Sequence, residues 1–361
     1  RIWLYGIQRR FPGVYSGKAI TVVSPAVEGH TQDGTPYGSI SGTMMQSIPG
    51  FMHHIHAAPY EVLLTQDYES RVYAILRLAL ACDVSIFLTA NPSTVRNFLV
   101  RVDRWKERLI RDIRDGTMDP DIQLDPATRA DLESRLSPAP ERASQLDRIA
   151  EKTGALRQAD IWPNLKLVHT WKSGNCRLVV PKLRALLSDD VPILEFGYMS
   201  SEVSSTNLID HGTDGSILAT RNAYYEFSRL EDGNDEGRRF YAAHELEEGQ
   251  KYFIYVTTFS GLYRYDMNDV LQVVGFHNTT PILRFLYKGK GITSLQGEKV
   301  SEQQFMEAVQ DGAEASGMQH EFYVGYADAE ISGYTLYIEL LEDHTAEDLE
   351  RLMSFYVSRL D

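Results

Sequence analysis

The chain has 361 residues, 43% of them hydrophobic, and carries 50 acidic against 36 basic side chains for a net charge of −14. That length can bury a sizeable core and favours two domains, while an acidic balance without a clustered basic surface argues against a nucleic-acid partner, whose phosphates demand one. Cys82 and Cys176 stand far apart, which excludes a disulfide framework and Cys-type metal spacing and points to a reducing, cytoplasmic setting.

From Lys18 to Pro49 the chain is rich in Gly, Ser, Thr and Pro and reads as loops and short strands. Tyr60 to Leu64 reads as a buried strand, and Asp67 to Ala81 as a helix from the spacing of Val72, Ile75, Leu76 and Ala79. The longest apolar region, Ala74 to Leu88, is interrupted by Arg77 and Asp83, so no membrane partner is expected. Val84 to Leu88 is the next strand. Asn91-Pro92-Ser93 then opens one long amphipathic helix whose face carries Val95, Phe98, Leu99, Val102, Trp105 and Leu109. Strand and helix in alternation predict a parallel α/β sheet. Asp119 to Lys152 reads as small solvated helices, after which a strand (Leu165 to Thr170), a helix (Arg177 to Leu187) and a strand (Val191 to Phe196) resume the alternation. Strands near Ile217 and over Ala223 to Phe227 follow, and Tyr252 to Thr257 reads as a strand that turns at Ser260-Gly261. After Lys288 the pattern changes to helix (Gln303 to Gln310), two strands (Glu321 to Tyr326, Tyr334 to Leu341) and helix (Ala346 to Leu360). The predicted domains are therefore 1–287, a large α/β domain, and 288–361, a hinge at Lys288 to Lys290 leading into a small α+β unit. The Arg1 start and the end inside a helix suggest an internal fragment, inactive by itself.

Two blocks could carry chemistry. The strand ending at Phe196 runs into Gly197-Tyr198-Met199-Ser200-Ser201-Glu202, and in open α/β sheets ligands bind beyond the carboxyl ends of strands. Tyr198 offers a flat face for a base, Ser200 and Ser201 offer hydroxyls, and Glu202 could hold Mg²⁺ beside phosphates. The same residues equally make a helix cap. Further on, Asp266-Met267-Asn268-Asp269 interrupts strand-like residues, and a carboxylate there can accept both hydroxyl protons of a ribose. It equally makes a strand-to-strand turn whose Asp and Asn satisfy local backbone N–H groups. His53-His54-Ile55-His56 lacks a partner at helical metal spacing, and Ser39-Ile40-Ser41-Gly42-Thr43 lacks the Gly and Lys of a phosphate loop.

Taken together, Tyr-Met-Ser-Ser-Glu (198–202), Tyr224-Tyr225-Glu226-Phe227, Thr257-Thr258-Phe259-Ser260-Gly261-Leu262-Tyr263-Arg264-Tyr265 and Asp269-Val270-Leu271 closely resemble the Gretchen Hagen family of acyl acid amido synthetases. Asp160-Ile161-Trp162-Pro163-Asn164 and Gly275-Phe276-His277-Asn278 are similar to it as well. These are auxin- and jasmonate-conjugating enzymes and their bacterial relatives, members of the adenylate-forming superfamily. The resemblance implies an acyl-CoA synthetase/luciferase-like large domain with part of a small mobile one, and a ligase using ATP and Mg²⁺ to adenylate a carboxylic acid and pass the acyl group to an amine such as an amino acid. It implies that Tyr198 lies against adenine, Met199, Ser200 and Ser201 near the nucleotide, Glu202 at the metal, Asp269 and Lys288 at the ribose, and Lys299 of Gly297-Glu298-Lys299 toward the phosphates. An acyl-CoA synthetase of the same superfamily and a non-catalytic nucleotide- or acid-binding protein are the alternatives. Two features depart from the family. The turn before Val270 reads Tyr265-Asp266-Met267-Asn268-Asp269 where relatives read close to Tyr-Arg-Val-Gly-Asp, with Asn268 able to take the left-handed conformation of the missing Gly. The Ser/Thr/Gly-rich phosphate loop that relatives carry upstream of Arg1, and the downstream adenylation Lys, are not in this chain.

Overall fold

The structure, a computed structural model, describes residues 2–207, 215–232, 238–289, 292–293, 300–318, 320–328 and 333–360. Contacts divide the chain into two compact units, Arg1–Leu218 and Ala219–Asp361. The boundary expected at 287/288 falls inside the second unit.

The first unit is built on four parallel strands: β1 (Lys18–Val22), β2 (Val84–Thr89), β3 (Leu167–Thr170) and β4 (Ile193–Glu195), in that spatial order. Alternate side chains leave opposite faces of a strand, so Ile20, Phe87 and Val168 enter the main core while Ala19, Ile86 and Leu167 pack against Ile7 and Val14 on the other side. Asp67 caps the helix Tyr68–Leu80 by accepting from the Ser70 N–H, and Asn91 caps Pro92–Arg104 through Ser93 N–H with Pro92 at the first turn. The helix expected to continue to Leu109 breaks at Trp105 (φ −103°, ψ 11°) and restarts as Lys106–Asp115. Asp103, just before the break, accepts from Lys106 Nζ at 3.0 Å and from the Leu156 N–H at 2.9 Å, and the two halves bury Val95, Phe98, Leu99 and Val102, then Leu109, Ile110 and Ile113. Tyr60 to Leu64, expected as a strand, is instead the short helix Tyr60–Leu63, one turn started by Pro59 that buries Val62 and Leu63. The single helix expected over Arg177 to Leu187 is a 3₁₀ turn, Gly174–Leu178, followed by a short helix, Val180–Arg184, with Pro181 in its first turn.

The Asp160–Asn164 motif is structural: Trp162 is fully buried and donates its indole N–H to Ala79 O at 3.1 Å, and Asn164 donates to Asp83 Oδ1 at 3.1 Å. Ser39-Ile40-Ser41-Gly42-Thr43 forms a capped helix start, and a Cβ at Gly42 would meet the Ala26 backbone nitrogen at 2.3 Å. Close backbone packing therefore explains that glycine.

The second unit carries antiparallel strands β5 (Tyr224–Arg229), β6 (Lys251–Thr257), β7 (Tyr265–His277) and β8 (Thr280–Lys288), adjacent in that order. The helix Glu302–Ser316, the strand pair His320–Asp328 and Gly333–Leu340, and the helix Ala346–Leu360 follow, around Val309, Met318, Leu352 and Tyr356. All four elements read from the sequence are present; the two strands and the last helix end within two residues of the expected bounds, while the first helix runs six residues past Gln310 to Ser316.

The polar insert is a bulge. Phe253 pairs with Val270 and Tyr255 with Asp266, so Met267, Asn268 and Asp269 face Ile254 alone. Asn268 takes φ 54°, and its N–H donates to Asp266 Oδ1 at 2.8 Å. The left-handed step expected of Asn in place of Gly is therefore made, and Asp266 serves the local turn. Asn268→Gly is expected to leave unfolding free energy within about 0.5 kcal/mol of the wild type, whereas the β-branched Asn268→Val costs about 1–2 kcal/mol. Urea denaturation of the two variants measures the difference, and equal stabilities would contradict the account.

Candidate functional site

In the first unit the site residues of 198–202 sit just beyond the carboxyl end of β4. Met199 bridges Ser204, and Val203 N–H donates to Ser200 Oγ at 3.3 Å, closing the loop on itself. Tyr198 N–H donates to Thr206 Oγ1 at 2.8 Å, and Tyr198 is only 8% exposed. Ser201 is exposed and Glu202 half-buried. The block is a loop, and no helix starts in it.

Sequence reading missed what holds this loop. Glu195, the last residue of β4, is buried, and its Oε1 accepts from the Gly197 N–H at 3.1 Å while Oε2 accepts from the Lys172 N–H and Ser173 Oγ, both at 2.9 Å. Trp171 Nε1 donates to Gly197 O at 2.9 Å. Burial pushes the Glu195 carboxyl above the usual carboxylate range, against the opposing pull of those hydrogen bonds. Beneath it, His169 stacks on Phe196 with ring centroids 4.5 Å apart, and burial drives its pKa down to about 3, so it is a neutral packing group.

In the second unit Asp269 and Lys288 lie directly opposite each other on β7 and β8, with Lys288 Nζ 2.7 Å from Asp269 Oδ1. The lysine also donates to Met267 O at 3.3 Å, so it clamps both the bulge and its carboxylate. The Asp269 side chain is 3% exposed and that of Lys288 54% exposed. A buried carboxylate with its counter-ion on the solvent side is an acceptor-only group ready for hydroxyl donors.

Nearby on the same unit, Arg264 forks onto Glu226 at 2.6 and 2.9 Å and covers the Phe240 ring at 4.6 Å. Arg264 has φ 42°, its N–H donating to Thr257 Oγ1 at 3.0 Å. The Tyr224–Phe227 and Thr257–Tyr265 motifs are thus one bidentate pair seen from two places in the sequence. Gly261 (φ 105°) makes the expected turn between β6 and β7, where Phe259 and Tyr263 are exposed.

Lys299 and its Gly297-Glu298 neighbours lie outside the described residues. At the histidines, His53 Nε2 contacts Ile48 O at 3.0 Å and His56 Nδ1 contacts Thr21 Oγ1 at 2.9 Å. Among the described residues no group of three or more His, Cys, Asp or Glu side chains could hold a metal ion, and the 198–202 loop offers one carboxylate, Glu202. That donor set fits Mg²⁺, which keeps several waters and takes one or two carboxylates beside phosphates. No helix among the described residues is long and apolar enough to cross a membrane.

A parallel sheet with a polar loop beyond its last strand, followed by antiparallel strands bearing a buried aspartate, defines a two-unit α/β protein. The solved structure of the GH3.15 acyl acid amido synthetase has this fold, with a TM-score of 0.79 at 21% identity over 100% of this chain and 65% of that one. The GH3 family N-terminal domain model matches residues 1–193 and the GH3 family central domain model residues 216–288. The chain belongs to the GH3, or Gretchen Hagen, family, as its motifs implied. It is 28% identical to the probable indole-3-acetic acid-amido synthetase GH3.11 of Oryza sativa subsp. japonica over 95% of this chain and 63% of the relative. It is 31% identical to the indole-3-acetic acid-amido synthetase GH3.17 of Arabidopsis thaliana over 82% of this chain and 55% of that protein. The chain thus spans about 55–63% of the length of these relatives.

Proposed function

We propose that this chain carries the nucleotide- and acid-binding part of an ATP-dependent acid–amine ligase. The observation that carries the reading is the Asp269–Lys288 pair on its bulge, 2.7 Å apart, at the position where the family resemblance assigns the ribose. The names of the relatives, amido synthetases of indole-3-acetic acid, support the same reaction class. A small-molecule carboxylic acid attacks the α-phosphate of ATP to give an acyl-adenylate and pyrophosphate, and an amine such as an amino acid then displaces AMP. Positioning and charge stabilisation do most of this work.

In this proposal Asp269 accepts the ribose hydroxyl protons and Lys288 divides its charge between Asp269 and the ribose edge. Tyr198 lies against the base with the part of its ring that is exposed, and Met199, Ser200 and Ser201 line the nucleotide. Glu202 holds Mg²⁺, which when bound neutralises phosphate charge, and Lys299 serves the phosphate side as a mobile point charge. Lys288 to Lys290, of which Lys290 lies outside the described residues, would be the hinge on which residues 288–361 turn between the two half-reactions. A cytoplasmic setting is part of the proposal, in keeping with two free thiols.

The chain spans only part of its relatives' length, so ATP–pyrophosphate exchange by the full-length protein across a panel of carboxylic acids tests it. At least one acid is expected to stimulate exchange well above the acid-free rate, and an amino acid to release AMP. Exchange unmoved by every acid sinks the ligase reading.

A further inference from the structure

The carboxyl ends of β3 and β4 open into two loops, Trp171 to Ser173 and Phe196 to Glu202, and both are fastened to one side chain. Glu195 is 7% exposed and spends its carboxylate wholly on backbone and hydroxyl donors: Gly197 N–H on one oxygen, Lys172 N–H and Ser173 Oγ on the other. Gly197, at φ 90°, is held at both of its backbone polar atoms, its N–H by Glu195 and its carbonyl by the Trp171 indole. Tyr198 follows immediately. Burying a charge is costly, and an apolar side chain would pack the end of a strand more cheaply. What the carboxylate supplies that an apolar residue could not is a fixed angle between the two loops.

We propose that Glu195 is a positioning residue, whose carboxylate sets the backbone of Gly197 to Glu202 against the Trp171 to Ser173 loop in the orientation that meets the nucleotide. The inference rests on the nucleotide reading of that loop. It also has a pH signature. As pH falls through the raised pKa of Glu195, one acceptor oxygen becomes a donor facing N–H groups, and the tie between the loops weakens. The other groups facing this carboxylate are Lys172, which contributes positive charge, His169, held neutral with a pKa near 3, and the Cys176 thiol, pushed up to about 11. Neither His169 nor Cys176 titrates between pH 5 and 8.

The test is AMP affinity of the wild type, Glu195→Gln and Ser173→Ala across pH 5 to 8, with thermal unfolding alongside. Glu195→Gln is nearly isosteric but replaces one acceptor by a donor, and it is expected to bind AMP about tenfold more weakly at pH 8. The ratio of the two affinities, from which the titration of the AMP phosphate cancels, should fall toward one as pH is lowered and the wild-type carboxyl becomes neutral too. Ser173→Ala removes one of three donors and should weaken binding about threefold. If Glu195→Gln loses its cooperative unfolding transition, Ser173→Ala decides: weaker binding supports the inference and unchanged affinity overturns it. A folded Glu195→Gln that binds within twofold of the wild type at pH 8 also overturns it. A wild type that binds no AMP overturns the nucleotide reading and this inference with it, an outcome distinct from the others.

Discussion

Replacing Asp269 with Ala is expected to weaken AMP binding by about two orders of magnitude, or about 3 kcal/mol, the sum of two charge-assisted hydrogen bonds to the ribose hydroxyls. The fold should survive the change. The usual danger in deleting one half of an ion pair is a charge left stranded in the interior, but Lys288 keeps 54% of its side chain in solvent and can turn to water. Its second bond, to Met267 O at 3.3 Å, does not involve the carboxylate and can persist. Asp269→Asn keeps one acceptor and introduces a donor against the lysine, so an intermediate loss is expected. Calorimetric titration with AMP reads all three proteins. An affinity unchanged in Asp269→Ala would remove this residue from the site.

The second large effect lies far along the chain from any proposed ligand group. Arg77 is 1% exposed and donates from Nε to Thr117 O at 3.0 Å and from Nη2 to Asp112 O at 2.9 Å. It is a buried cation at the carboxyl end of the helix Lys106–Asp115, where it joins the Gly116 and Thr117 N–H groups on Asp112 O and the dipole favours positive charge. The Asp112 carboxylate is engaged in turn by Tyr73 Oη at 2.8 Å and by the Asp119 N–H at 2.7 Å. Arg77→Ala opens a cavity and strips buried carbonyls of a donor, and should cost about 4 kcal/mol of unfolding free energy. Arg77→Met refills the volume without restoring the bonds and should cost about 2 kcal/mol. Denaturant unfolding measures both, and a loss below about 1 kcal/mol in Arg77→Ala would show that the network carries no weight.

The parallel half of the molecule was legible because its strands are β-branched and apolar on both sides and its helices carry Asp67 and Asn91 at their starts. Tyr60 to Leu64 has the same apolar character, and composition alone could not separate one buried helical turn from one short strand. The break at Trp105 was hidden because Leu109 continues the helical spacing, while its cause, Asp103 reaching Lys106 and the distant Leu156 N–H, is tertiary. Asp269 and Lys288 announced themselves as an out-of-pattern acid and a strand-end base, and the strands set them opposite each other. Glu195 could not be found in this way. A glutamate ending a strand reads as a solvent-facing group, and two of its three donors come from Lys172 and Ser173, on a loop more than 20 positions earlier.

The bulge on β7 has an evolutionary consequence. Three residues stand where one would suffice, so the insertion adds two, and side chains alternate faces with a period of two. The strand beyond it therefore stays in phase, with Val270 still opposite Phe253. Along its other edge β7 also absorbs single-residue shifts against β8, between Val270 and Leu271 and between Val273 and Gly275. A two-residue deletion in the bulge would restore one-to-one pairing with β6, erasing the turn that carries Asp269 while keeping the flanking register in phase. The turn that carries Asp269 can therefore be lost in one step while the sheet that bears it is kept.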